Sequence, residues 1–204
     1  MRKKIIALII CSLLLIYFIG GIFYNIFYEE KNNNENIENK IGDTIKGFNY
    51  IVYENDLEIY KKEFNNFKKI LESEEIDYKE YAISISKLFL IDLYTLDNKK
   101  NKYDVGGTEF IYPEIVENYK LNVENTLYKY IIDNSDNKRT QKLPEVKNII
   151  LDNIEETIYT LGENKFDAYK LNLRIEYIED LEYDTDCEII ITKNDKYLYI
   201  VEKN

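Results

Sequence analysis

The chain predicts an α+β domain, with helices first and an antiparallel meander after them. Three observations carry this. From Tyr60 to Tyr130 apolar side chains recur with a helical period; from Glu145 onward they recur every second residue; and the stretch Asp77 to Leu96 is apolar nearly all round. Helices in one run and strands in the next belong to segregated layers, a sheet wrapped over a buried helix.

The N-terminal elements stand apart from that domain. Arg2, Lys3 and Lys4 precede Ile5 to Tyr24, an uncharged apolar run of about 20 residues, the length that spans a hydrocarbon core. Basic residues on its N-terminal side predict a cytoplasmic N-terminus and an outward-facing remainder. A cleaved signal peptide wants a shorter apolar region and small residues at its cleavage site, whereas apolar character here continues past Gly20 and Gly21 through Ile22, Phe23, Ile26 and Phe27. In a lipoprotein the modified cysteine follows a small residue, but Ile10 precedes Cys11. Residues 1–28 are therefore expected to be an uncleaved, single-pass anchor in the cell membrane, with Tyr24 and Tyr28 at the outer interface. Residues 29–46 are polar and low in complexity, and predict a flexible tether.

The extracytoplasmic domain is expected over residues 47–204. Gly47 to Tyr53 alternates like a strand. Tyr60, Phe64, Phe67 and Leu71 then fall on one helical stripe. Ser73 to Ile76 links that helix to the central one, so the two should pack as a hairpin. Asp77 followed by Glu80 has capping-box spacing. Lys87 and Asp92 would be costly in a bilayer centre, which makes Asp77 to Leu96 the buried helix of a globular domain.

Beyond Asp97 and Asn98 a loop runs to Gly106 and Gly107, a pair that marks a backbone turn or close approach. Its acids invite comparison with a calcium loop. Lys99 and Lys102 occupy ligand or turn positions, however, and no Glu closes a twelve-residue spacing. Pro113 and Glu114 open a third helix with an apolar stripe of Val116, Tyr119, Val123, Leu127 and Tyr130. Val146 to Leu161 predicts one long or bulged strand, Tyr169 to Tyr177 alternates almost perfectly, and Cys187–Thr192 and Tyr197–Val201 flank a hairpin turn.

Composition narrows the chemistry. The chain has no His, which removes the commonest general base and metal ligand and excludes His-dependent serine and cysteine hydrolases. Zinc sites would need Cys, and there are only two, Cys11 and Cys187, which should lie on opposite sides of a membrane boundary, so no intrachain disulfide is expected; nor is a cofactor. A net charge of −11, more acidic still once the basic N-terminal triplet is set apart, repels phosphate backbones, and nucleic acid is not an expected partner. The 20 tyrosines accompany an Ile, Asn, Lys and Glu bias that an AT-rich genome also produces, so they carry little functional weight.

Helices followed by a twisted antiparallel sheet, behind a single span and a stalk, resemble the cone-shaped nuclear-transport-factor-like (cystatin-like) fold. Outside the cytoplasm that arrangement is similar to the anchored assembly subunits of conjugation and type IV secretion machines. Locally, Phe89 to Lys99 followed by Asp104-Val105-Gly106-Gly107 and Phe110-Ile111-Tyr112 resembles a segment of uncharacterised anchored proteins of low-GC Gram-positive bacteria. That resemblance implies no activity.

The function expected is non-enzymatic: a membrane-anchored interaction or assembly domain with a protein partner, in a cell-envelope or transfer complex. The alternative is a small-ligand domain using the mouth of the cone, where Asp92, Tyr94, Asp104 and Tyr112 are the candidate ligand-binding residues. A purely structural role for those four, as core or as hydrogen-bond partners, is the competing expectation. Glu179-Asp180 and Asp184 with Asp186 read as a solvated loop rather than a glycosidase pair.

Overall fold

The structure is a computed structural model that describes residues 40–161 and 164–204. The expected anchor and most of the tether lie outside these residues, as does Cys11. The unit Ile41–Asn204 is α+β. Among the described residues no helix is long and apolar enough to cross a membrane.

This unit starts inside the stretch expected to be a linker. Strand β1 (Ile41–Thr44) pairs antiparallel with β2 (Ile51–Tyr53), and Gly47, at φ +81°, lies in the turn between them. Lys68 holds the polar strand to the first helix, its Nζ 2.7 Å from each Asp43 carboxylate oxygen. Tertiary contacts therefore order a segment whose composition argues for a tether.

Helix α1 (Glu58–Leu71) buries the expected stripe of Tyr60, Phe64, Phe67 and Leu71. Full burial of side chains this size contributes roughly 1.5–3 kcal/mol each. Helix α2 (Tyr78–Tyr94) begins at Asp77, whose carboxylate accepts the amides of Lys79 and Glu80. Eleven of its 17 residues are buried, on every side of the helix, so α2 is the axis of the core. Ser84 donates to Glu63 of α1 at 2.5 Å, and Ser86 to the carbonyl of Ala82 at 2.8 Å.

Four strands form an antiparallel sheet in sequence order: β3 (Val146–Leu161), β4 (Asn164–Tyr177), β5 (Asp186–Asn194) and β6 (Tyr197–Lys203). Leu171, Leu173 and Ile175 of β4 alternate inward with Ile189 and Ile191 of β5 and Leu198 and Ile200 of β6, all against the α2 core. Strand β3 has the bulges that its length suggested, at Val146/Asn148 and Leu151/Asn153. Pairing of β4 with β5 runs only from Ala168 to Arg174. Ile158–Leu161 and Asn164–Asp167 therefore pair with each other alone, as an arm two strands wide.

Helix α3 (Val116–Asn125) follows a 3-10 turn at Pro113–Ile115 and is shorter than its apolar stripe suggested. At Thr126 the backbone leaves the helix (φ −121°, ψ −92°). The change of direction carries Tyr128 into the core and leaves Tyr130, expected on the buried stripe, 75% exposed.

Candidate functional site

The loop after α2 is built around Asp92. One carboxylate oxygen accepts the Lys99 ammonium at 2.5 Å and the other the Gly107 amide at 2.6 Å. Lys99 is almost wholly buried, so the pair is a structural clamp and not a surface ion pair. Two tyrosines grip the same turn. Tyr119 donates to the Gly106 carbonyl at 2.8 Å, while the Tyr128 hydroxyl donates to the Leu93 carbonyl at 2.7 Å and accepts from the Gly106 amide. Arg139 closes the outer side by donating to the carbonyls of Asp97 and Lys99.

Both glycines are needed at this turn. A Cβ on Gly106 would collide with the Asp92 carbonyl, and one on Gly107, which has φ +72°, would stand 2.5 Å from the Phe89 ring. The paired glycines are thus a close approach of loop to helix, as the sequence suggested.

The four residues singled out from the sequence have separate environments. Asp92 is the anchor of the loop. Tyr94 is buried at the end of α2 with the Lys203 ammonium 5.2 Å from its ring centre. Asp104 is exposed and accepts the Lys100 amide at 2.9 Å. Tyr112 lies beside β6, its amide donating to the Ile200 carbonyl and its ring packed edge-on to Tyr199. Among the described residues no hydrogen bond, ion pair or ring contact joins any two of the four.

The acid that the loop does present is Glu109, two residues beyond the Gly107 clamp, in a 3-10 turn (Thr108–Phe110). The Tyr60 hydroxyl donates to it at 3.2 Å. Its side chain is open to solvent and stands at the edge of a concavity whose walls are protein. Loss of hydration, with repulsion from Asp92 second, pushes its carboxyl up to about 7. Sequence reasoning missed Glu109; the available signal was a lone acid among Gly106, Gly107, Phe110 and Ile111. Nearby, Asp56 accepts the Tyr53 amide at 2.7 Å, and its carboxyl is also raised, chiefly by burial.

This shift has a measurable sign. The unfolded chain gives up the Glu109 proton near 4.5, whereas the folded chain holds it to about 7. Its contribution to stability is fully present below 4.5 and is lost as pH rises through 7. Thermal melts of the wild type and Glu109→Gln across that window should therefore differ in slope, the variant losing less stability on the way up. Parallel slopes would contradict the placement of Glu109.

No family model, curated protein or solved structure matches the chain. Its chemistry is therefore read from its own residues. Among those described, no group of three or more His, Cys, Asp or Glu side chains is placed to hold a metal ion.

Proposed function

We propose that the chain is a non-enzymatic interaction or assembly domain, held in a membrane by residues 5–24 and displayed outside the cytoplasm to a protein partner. The observation that carries this reading is the arm at the end of β3 and β4. An isolated pair of strands is marginal in water and gains stability by packing on something else. Ile158 on this arm is 63% exposed, and Tyr159 and Phe166, paired across the strands, are only half-buried. Support for a non-enzymatic role comes from Asp92, whose two oxygens are committed to the loop. Helices followed by a four-stranded meander support the nuclear-transport-factor-like reading, and with it a place in a cell-envelope or transfer complex.

The test is site-specific photocrosslinking of the full-length protein in its native membrane. A benzophenone side chain at Ile158 should give a discrete crosslinked product that is lost when Phe166 is changed to Ser. The same group at Lys62, on the exposed side of α1, should not give that product. Identical products from both positions, or none from Ile158 in a folded protein, would refute the role of the arm.

A further inference from the structure

Two recesses adjoin at the 3-10 turn of Glu109, one against β2 and α1 and the other against the start of α3 and β6. The smaller, about 270 Å³, has Tyr50, Tyr53, Tyr60 and Phe110 among its walls. The larger, about 460 Å³, has Tyr197 and Tyr199. Asn49, Tyr50 and Glu109 line both, so the two form one trough with Glu109 at the junction. Among the described residues no lysine or arginine lines either recess, and the charged residues there are Glu109 and Glu117.

We propose that this trough binds an alkylammonium group, with Glu109 as its counter-charge and the surrounding tyrosine and phenylalanine rings as its walls. The chemistry favours that class over a bare metal ion, which needs several oxygens to replace its hydration shell. An alkylammonium spreads its charge over a weakly hydrated apolar surface, and aromatic faces attract it electrostatically. The chain uses this attraction internally next to the trough: the Lys196 ammonium lies 4.9 Å from the ring centre of Phe48 and 5.3 Å from that of Tyr197.

Proton balance follows from the groups that face Glu109, which are the Tyr60 hydroxyl from α1, Asp92 from α2 and Lys99 from the loop. With no cation beside it the carboxyl holds its proton to about 7. A bound cation favours the ionised form, so binding below that pH releases a proton to solvent and is weaker there.

Calorimetric titration of the full-length chain in a maltoside detergent tests this, using choline chloride against 3,3-dimethylbutanol, its uncharged carbon isostere. Saturable choline binding is expected, about tenfold or more tighter than the isostere. It should weaken by about tenfold from pH 8 to pH 6. Glu109→Gln should lose at least about tenfold in affinity while melting as a folded protein. A lysine tripeptide titrated alongside distinguishes the source: tighter choline binding assigns the site to a free cation, and tighter peptide binding assigns it to a side chain offered by another protein. No saturable binding by either, equal binding of the isostere, or unchanged affinity in a folded Glu109→Gln variant overturns the proposal. None of these outcomes depends on the arm.

Discussion

Asp92→Ala is expected to destabilise the domain by about 3–5 kcal/mol, because it strands the buried Lys99 ammonium and the Gly107 amide together. Asp92 keeps about a quarter of its surface in contact with water, which places the effect towards the lower end of that range. A double substitution separates the two parts of the loss. Asp92→Asn combined with Lys99→Met removes both charges and retains a side-chain oxygen for the Gly107 amide. It should therefore cost less than the sum of the single changes. Urea unfolding of the four proteins measures the coupling, and additive losses would show that the ion pair is not the anchor. The same variants should move choline affinity through the placement of Glu109, two residues along the loop from Gly107.

Gly106→Ala should be comparably severe, costing about 3 kcal/mol or more, since the new methyl meets the Asp92 carbonyl, a backbone group with no freedom to swing aside. Gly47→Ala is the informative control. Gly47, unlike Gly106, has positive φ, but nothing lies within 4 Å of where its Cβ would be, so only the backbone penalty of roughly 1–2 kcal/mol applies. Similar midpoints for the two variants in denaturant would mean that the loop yields and that the close approach is not rigid.

The parts of this fold that could be read from sequence are those where one periodicity decides burial. Tyr60, Phe64, Phe67 and Leu71 needed only the helical period, and Leu171, Leu173 and Ile175 only the strand alternation. α2 was visible because few polar residues interrupt it. The remainder depended on partners far away in the chain. β1 is ordered by pairing with β2 and by Lys68, neither of which its own polar composition announces. Tyr128 replaces Tyr130 in the core because α3 stops at Thr126, a boundary with no proline or glycine to mark it.

The candidate site was half legible for the same reason. An acid within an apolar helix followed by paired glycines drew attention to Asp92, and the structure places Asp92 at the centre of the loop. Its task there is to hold the turn. What reaches the concavity is Glu109, whose setting is made by Tyr50, Tyr53 and Tyr60, residues at least 49 positions away. The bias toward tyrosine, which composition alone gave no reason to value, supplies the walls.

The order of the strands bears on how the polypeptide acquires its shape as it is made. The last strand, β6, lies deep in the core: Leu198 and Ile200 are buried, the Leu198 amide donates to the Tyr81 hydroxyl, and Ile200 bridges to Ile111. Synthesis delivers β6 after the other elements it meets, so a nascent chain that already contains α1, α2 and β3 to β5 still lacks the pairing partner of β5 and the amide that reaches the Tyr81 hydroxyl. Completion of the core is thereby deferred until β6 has emerged, and a product interrupted before Tyr197 leaves apolar surface by which chaperones and proteases recognise an unfinished protein.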